Sequence, residues 1–152
     1  TANERHPHRA DLVRSVGAPW DVPVLVGDAR ALEPIDGGYD RVLVDAPGTG
    51  LGERRRRPEA RWRRQPGDVP GLAQLQGELL AAALRLVRPG GVVGYVTCSP
   101  HLAETSAVVD GLDLLDARTA FTGVGQLGPG PTVQLWPHRH GTDAMFCALI
   151  RG

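Results

Sequence analysis

The chain has 152 residues, which is enough for one domain with a hydrophobic core and too few for two. Its 17 basic residues are all arginine and balance 17 acidic residues, so the molecule as a whole has no strong attraction for polyanions. Two cysteines do not make a disulfide framework, and we find no signal peptide, lipidation motif or apolar run that could span a membrane.

The first third of the chain predicts three short strands and one helix. Residues 1–4 are typical of the end of a strand. The stretch from Pro7 to Val16 has helical periodicity, with a proline in its first turn and Gly17 at its end. Val22 to Val26 and Tyr39 to Asp45 are apolar runs typical of buried strands.

The rest of the chain continues to alternate between helices and strands. After a polar stretch at 48–71, the clearest helix runs from Leu72 to Val87, because its apolar residues recur at steps of three and four. Gly91 to Val96 follows as a buried strand. The remaining predicted elements are a helix at 103–111, a strand at 112–117, a loop at 123–131 and a strand at 144–150. This alternation predicts an α/β fold with a mainly parallel sheet.

Two polar motifs directly follow apolar strands. Asp45 opens the sequence Asp-Ala-Pro-Gly-Thr-Gly, and Cys98 lies in Thr-Cys-Ser-Pro. A doubly wound sheet places its functional residues at the carboxyl ends of its strands, so we expect this carboxylate and this thiol to share one crevice. That pair suggests covalent chemistry on an electrophilic ring. The simpler alternatives are a small buried hydrophobe for Cys98 and a turn residue for Asp45.

The reactivity of Cys98 depends on its surroundings. A thiol with a pKa near 8.5 is only about a tenth ionised at pH 7.5, so nucleophilic use needs local help. The N-terminus of the helix predicted at Ala103 is close in sequence and would lower this pKa. His101 is a second candidate, although a solvent-exposed histidine is the simpler interpretation.

One strong charge cluster lies between the two motifs; we call residues 54–64 the arginine segment. It combines Trp62 with seven arginines: Arg54, Arg55, Arg56, Arg57, Arg61, Arg63 and Arg64. The simpler interpretation of this segment is a solvent-exposed loop. We favour contact with nucleic acid, because arginine binds phosphates bidentately and an aromatic plane stacks on an unpaired base. We expect no metal site, since His138 and His140 lack further ligands at a suitable spacing.

These features together resemble the Sun-type (NOP/SUN) family of RNA cytosine-C5 methyltransferases, and particularly its bacterial branch that modifies small-subunit ribosomal RNA. The residues that carry the resemblance are Asp45-Ala46-Pro47, the arginine segment, Leu72-Ala73-Gln74-Leu75-Gln76, Arg88-Pro89-Gly90-Gly91, Tyr95 to Pro100 with Glu104, and Phe146 to Arg151. The resemblance implies a Rossmann-like, S-adenosylmethionine-dependent domain with helices on both faces of its sheet. Residues 1–152 would form part of it, without its first strand and glycine-rich cofactor loop.

The resemblance also implies roles for single residues. Cys98 is expected to be the nucleophile that adds to cytosine C6, and Asp45 to stabilise the adduct. Glu4 is expected to bind the ribose of S-adenosylmethionine, Asp28 to lie beside its adenine, and Asp45 and Pro47 to lie near its methionine moiety. The arginine segment is expected to bind RNA, ribosomal RNA in particular. We expect a cytoplasmic monomer without a membrane partner.

One position departs from the family pattern and leaves a second interpretation open. The family has a cysteine where this chain has Gly48, and that thiol is associated with release of the product from its covalent adduct. A catalytically impaired remnant that still binds RNA is therefore the alternative. A Rossmann-like domain for another nucleotide is a third interpretation, but it gives Thr-Cys-Ser-Pro no role.

Overall fold

A computed structural model describes all 152 residues, and the chain divides into two units, Thr1–Glu33 and Pro34–Gly152. In the first unit, strands β1 (Ala2–Glu4) and β2 (Val24–Val26) pair in parallel, and helix α1 (Pro7–Gly17) connects them. The order of these three elements, strand, helix and strand, is the one predicted from the sequence. The predicted burial of β2 is wrong, since two of its three residues are exposed.

The second unit is built on a second parallel pair of strands. Strand β3 (Tyr39–Asp45) is followed by the one-turn helix α2 (Ala60–Arg63) and by the long helix α3 (Asp68–Leu86), which leads directly into strand β4 (Val87–Thr97). β3 and β4 pair in parallel. Parallel neighbours need a crossover of a dozen or more residues, and α3 supplies it.

Three further strands complete the sheet through antiparallel pairing. They are β5 (Leu114–Leu115), β6 (Val133–Gln134) and, after the one-turn helix α4 (Pro137–His140), β7 (Phe146–Arg151). β7 runs antiparallel to β4, and β5 and β6 both pair antiparallel with β7, so the order is β3-β4-β7-β5. The sheet is therefore mixed: its parallel part is confined to β3 and β4, because loops rather than a crossover helix connect the later strands.

The helix predicted at 103–111 is wrong. A single 3₁₀ turn at Leu102–Glu104 occupies its start, and Thr105 leaves helical geometry with φ −124° and ψ −100°. Gly111, at the predicted end, has a φ of 74°. The physical reason is the burial of Glu104, whose side chain is drawn into the interior rather than towards solvent.

The core lies on both faces of the sheet. On one face, the buried residues Val93, Tyr95 and Ile150 pack with Leu80 of α3. On the other face, Ala117, Leu127 and Val133 form a smaller cluster against alternate residues of β7. This follows from the two-residue period of a strand, which sends neighbouring side chains to opposite faces. No helix of the structure is both long and apolar enough to cross a bilayer.

Candidate active site

The two sequence motifs meet at one edge of the sheet in the second unit. β3 and β4 run side by side with Asp45 opposite Val96, and Cys98 lies two residues further along. Asp45 is exposed and Cys98 is partly buried. Asp45 and Cys98 thus lie at the same edge of the sheet, and the charge of Asp45 raises the pKa of the thiol.

The surroundings of Cys98 keep its thiol neutral. Burial raises its pKa to about 11, and the charge and hydrogen bond of Glu53, followed by the charges of Asp45 and Asp143, act in the same direction. The expected lowering by a helix N-terminus is wrong, because no α-helix follows the motif. His101 is exposed, and its Nδ1 accepts a hydrogen bond from the backbone N–H of Ala103 at 3.2 Å.

A short 3₁₀ turn at Leu51–Glu53 lies against the backbone of Cys98. The N–H of Gly52 donates to the carbonyl oxygen of Cys98 at 3.0 Å, and the carbonyl oxygen of Gly52 accepts from the N–H of Ala144 at 3.0 Å. A Cβ on Gly52 would lie 2.0 Å from the carbonyl oxygen of Ala144. Only glycine allows the two backbone segments to approach this closely. The turn is therefore held between Cys98 on one side and Ala144 on the other.

A buried carboxylate, that of Glu104, connects the loops around the site. Its Oε1 accepts from the N–H of Thr49 at 2.7 Å and from Nε2 of Gln76 at 3.2 Å. Its Oε2 accepts from the hydroxyls of Thr49 at 2.6 Å and Ser99 at 2.7 Å. We call Thr49, Gln76, Ser99 and Glu104 the Glu104 network. It fixes the loop after Asp45 to the loop that carries Cys98.

Gly48 lies against this network. A Cβ at position 48 would be 2.9 Å from Oε1 of Glu104 and 3.0 Å from Oγ1 of Thr97. Real Cβ atoms almost never approach that closely, so any side chain here would displace the Glu104 carboxylate from its donors. The structure therefore gives a packing reason for glycine at this position.

The arginine segment is exposed but anchored. Nε and Nη2 of Arg56 lie 2.6 and 2.5 Å from Oδ2 of Asp143, whose side chain is only 6% exposed. Nε of Arg57 lies 3.6 Å from Oε2 of Glu53, and Nη2 of Arg64 donates to the carbonyl oxygen of Gly48 at 3.4 Å. The remaining arginines of the segment form no ion pair: Arg54, Arg55, Arg61 and Arg63. Trp62 is 78% exposed, which leaves its ring free for stacking.

Glu4 and Asp28 belong to the first unit, where they lie at the same edge of the β1–β2 pair. Glu4 is opposite Val26, and Asp28 follows two residues later. A hydrogen bond from the N–H of His6 lowers the pKa of Glu4, and hydrogen bonds from Arg30 lower that of Asp28. Two ionised carboxylates at a strand edge are suitable acceptors for ribose hydroxyls, so these residues fit the cofactor that the resemblance implies.

One cavity lies away from these residues. It has a volume of about 500 Å³ and is lined by Arg118, Val124, Gln126, Leu127, Gly128 and Arg139. None of these is a predicted site residue. No group of three or more His, Cys, Asp or Glu side chains is arranged to hold a metal ion.

Sequence reasoning missed the position of Glu53 beside Cys98 in the chain's fold and the burial of Glu104. An acid within a run of arginines is typical of a solvated loop, and Glu104 falls within the helix predicted at 103–111. The only available signal for Glu104 was its occurrence with Thr-Cys-Ser-Pro in the resemblance, which assigned it no role.

Comparisons with known proteins identify relatives of this chain in sequence and in structure. The sequence profile of the 16S rRNA methyltransferase RsmB/F family matches residues 1–151. Rv1407 of Mycobacterium tuberculosis, whose name describes it as a methyltransferase, is 61% identical over 158 residues, covering 99% of this chain and 34% of that protein. Ribosomal RNA small subunit methyltransferase B of Vibrio vulnificus is 36% identical over 130 residues, covering 84% of this chain and 30% of that protein.

Solved structures show the same fold. PH0851 superposes with a TM-score of 0.84 at 31% identity, covering 99% of this chain and 36% of that one. NSun6 from Pyrococcus horikoshii, solved with the S-adenosylmethionine analogue SFG, superposes with a TM-score of 0.82 at 26% identity, covering 99% and 40%. The chain thus spans about a third of the length of its curated relatives and has the Rossmann-like methyltransferase fold that the resemblance implied. It belongs to the RsmB/F family of 16S rRNA methyltransferases.

Proposed function

We propose that this protein transfers a methyl group from S-adenosylmethionine to C5 of a cytosine in RNA, with ribosomal RNA as the substrate. The observation that carries the proposal is the position of the Cys98 thiol and the Asp45 carboxylate at the ends of adjacent parallel strands. Family membership supports RNA methylation, and the thiol supports attack on a pyrimidine carbon.

The chemistry explains why a thiol and an acid are needed together. C5 of cytosine is a poor nucleophile, and bound S-adenosylmethionine supplies an electrophilic methyl group. Addition of the Cys98 sulfur to C6 makes C5 electron-rich, so that it accepts the methyl group. Asp45 stabilises this adduct at the N3/N4 edge of the ring. Loss of the C5 proton and departure of the sulfur then restore the aromatic ring.

The cofactor residues are assigned by family resemblance. In the first unit, Glu4 accepts hydrogen bonds from the ribose hydroxyls, and Asp28 lies beside the adenine. In the second unit, Asp45 and Pro47 lie near the methionine moiety. The low pKa values of Glu4 and Asp28 support these roles, because an ionised carboxylate is the stronger acceptor.

RNA binding is assigned to the arginine segment. Four of its arginines form neither an ion pair nor a side-chain hydrogen bond, so their guanidinium groups are available for phosphates. A cytosine must leave its stack to reach the thiol, which costs a few kcal/mol unless the base is already unpaired. The exposed ring of Trp62 offers a stacking surface for such a base or its neighbour.

Replacement of Cys98 by alanine tests the proposal. We expect Cys98→Ala to abolish methyl transfer in the complete gene product, measured as tritium incorporated into RNA from labelled S-adenosylmethionine. Cys147→Ala is the matched control and retains transfer, because Cys147 packs beside the smaller core cluster rather than at the strand ends. Undiminished transfer by Cys98→Ala would remove this sulfur from the mechanism.

Gly48 supports a second candidate, an RNA-binding protein that has lost turnover. The thiol associated with product release is absent here, and a Cβ at position 48 would lie 2.9 Å from Oε1 of Glu104 and 3.0 Å from Oγ1 of Thr97. Turnover separates the two candidates. Transfer of more than one methyl group per molecule of the complete gene product rules out the remnant, whereas RNA binding without repeated transfer supports it.

A further inference from the structure

We propose that the cavity beside α4 binds a phosphate of the RNA strand, close to the nucleotide that carries the target cytosine. This inference rests on the proposed function and adds a substrate subsite to it. The cavity has a volume of about 500 Å³, which is within the usual range of ligand sites. Its charged lining residues are Arg118 and Arg139. Because both are positive, the ligand that the cavity fits is an anion.

The register of the sheet places α4 near Cys98. Thr97 is opposite Phe146 on β7, and Phe146 is opposite Gln134 on β6. α4 connects the end of β6 to the start of β7, so it lies at the edge of the sheet where β4 ends. Neighbouring strands are about 4.8 Å apart, so the chain leaves β6 roughly 10 Å from the point where it leaves β4. An RNA strand whose cytosine lies at Cys98 can therefore place a nearby phosphate in the cavity.

Hydrogen bonds fix the walls of the cavity. Nδ1 of His140 accepts from the N–H of Trp136 at 2.8 Å, so Nε2 carries the proton of the neutral ring and donates to the carbonyl oxygen of Gly125 at 3.1 Å. The N–H of Gln134 donates to the carbonyl oxygen of Leu127 at 2.8 Å, and Leu127 is buried. The loop that carries Gly125 is thus attached to both α4 and β6, so a phosphate meets a preformed site.

Arg139 supplies the unpaired charge of the cavity. It is exposed, and it forms neither an ion pair nor a side-chain hydrogen bond. Nε and Nη2 of Arg118, by contrast, donate to the two carboxylate oxygens of Asp116 at 2.8 and 2.7 Å. That carboxylate offsets the charge of Arg118, whose Nη1 remains a donor for a ligand. The lining thus keeps the single charge of Arg139, which matches the single negative charge of a phosphodiester.

The cavity continues the basic surface that the arginine segment begins. Arg56 of that segment is paired with Asp143, in the loop that joins α4 to β7. Arg139 lies on α4 at the other end of the same loop. A polyanion that follows this loop contacts both groups of arginines, and the second contact gains from the first because it is intramolecular. A free phosphate ion has no such gain, so we assign the cavity to a phosphate within an RNA chain.

Replacement of Arg139 tests this assignment. In the complete gene product, Arg139→Gln should reduce the magnitude of the salt slope for single-stranded RNA by about 0.7, the value for one phosphate contact. Arg41→Gln is the matched control, because it removes an exposed arginine near the start of β3, towards the opposite end of that strand from Asp45, and it should leave the slope unchanged. Fluorescence anisotropy titrations measure the slopes. The same slope in Arg139→Gln as in the wild-type protein overturns the proposal.

A second variant is expected to gain affinity, which a folding defect does not produce. Asp116→Asn frees the charge of Arg118, while the amide oxygen still accepts from the N–H of Arg118. The association constant for single-stranded RNA should rise about threefold at low salt, the effect of one charge at short range in water. Asp113→Asn is its matched control, since it breaks a similar pair with Arg151 at the other end of β7, and its effect should be much smaller. An unchanged association constant in Asp116→Asn also overturns the proposal.

Protection from phenylglyoxal distinguishes the possible sources of the phosphate. Peptide mass spectrometry should show that single-stranded RNA slows the modification of Arg139 but not that of Arg41. Inorganic phosphate, added at the same concentration of phosphate groups, should protect neither. Equal protection of Arg139 by inorganic phosphate would assign the cavity to a free anion and would overturn its assignment to RNA.

These measurements separate the subsite from the proposed function, because none of them requires methyl transfer. If the wild-type protein binds RNA and Arg139→Gln binds it with an equal slope, the subsite is wrong and the proposed function stands. If the wild-type protein binds no RNA at all, the proposed function fails, and the subsite fails with it.

Discussion

The buried Glu104 carboxylate has no cationic partner. Four hydrogen-bond donors from Thr49, Gln76 and Ser99 stabilise it instead of a cation. The hydroxyl of Tyr95 also donates a hydrogen bond to the backbone carbonyl oxygen of Glu104 at 2.8 Å. A buried charge without such donors would be strongly destabilising. Glu104 is therefore a structural residue that holds Cys98 and the loop after Asp45 in register.

Removal of this acceptor should cost more stability than removal of one of its donors. Glu104→Ala leaves four donors without an acceptor, and we expect the free energy of unfolding in urea to fall by at least about 3 kcal/mol. Ser99→Ala removes a single donor and should cost about 1 kcal/mol. The exposed replacement Glu59→Ala should change stability by less than about 0.5 kcal/mol. A smaller loss for Glu104→Ala than for Ser99→Ala would contradict this account.

Among single residues, sequence reasoning identified those whose positions follow from their neighbours in the sequence. Asp45 and Cys98 follow apolar strands, and parallel neighbours bring such residues to one edge without further information. Glu53 and Glu104 could not be found in the same way. Their surroundings come from chain segments about 45 and 55 residues away in sequence, so no local pattern marks them.

The arginine segment lacks regular structure over most of its length, and the most buried of its attachments is the ion pair between Arg56 and Asp143. Asp143, in the loop before β7, is almost fully buried, and its Oδ1 has no hydrogen-bond partner. Loss of Arg56 would leave this carboxylate without a cation. The loop before β7 and the segment are therefore expected to loosen together.

Limited trypsin digestion measures this anchoring. Arg56→Ala should increase the rate of cleavage within residues 54–64 several-fold, because local opening of the segment becomes easier. Arg55→Ala is the matched control, since it also removes one cleavage site but no ion pair. Equal digestion rates for the two variants would mean that the Asp143 pair does not restrain the segment.

Helices and strands were predictable where the spacing of apolar residues was regular. β3 was predicted at its observed bounds, and α3 was found from the repeat of Leu72, Leu75, Leu79 and Leu80, although it starts four residues earlier than predicted. The helix predicted at 103–111 is wrong because its tertiary contacts are not compatible with a helix. Burial of Glu104 decides the backbone there, and tertiary context overrides propensity.

The stability of the chain at alkaline pH depends on three groups that burial keeps neutral. Burial raises the pKa of Tyr95 above its usual 10.0, and burial also raises those of Cys98 and Cys147 above 9.0. In the unfolded chain these groups release their protons at lower pH than in the native protein. Above their unfolded pKa values the unfolded state therefore binds fewer protons, and stability falls as pH rises.

We expect the free energy of unfolding to decline from about pH 9 upward and more steeply beyond about pH 10, when Tyr95 joins the two cysteines. Urea titrations between pH 8 and 11 measure this. In Tyr95→Phe, which has no phenol to ionise, the steeper part should become shallower. A wild-type stability that is constant over this range would show that these groups ionise equally in both states.

The whole molecule is neutral, so any salt dependence of RNA binding must come from local charge. If the four unpaired arginines each contact a phosphate, the logarithm of the association constant for single-stranded RNA should fall with the logarithm of salt concentration with a slope of about −3. Replacement of Arg61 and Arg63 by glutamine should reduce the magnitude of this slope by about 1.4 in fluorescence anisotropy titrations of the complete gene product. Replacement of Arg5 and Arg14 by glutamine changes the net charge equally but outside the segment, and it should leave the slope unaltered. Equal effects of the two double variants would mean that RNA responds to overall charge, and the arginine segment would lose its role as the binding surface.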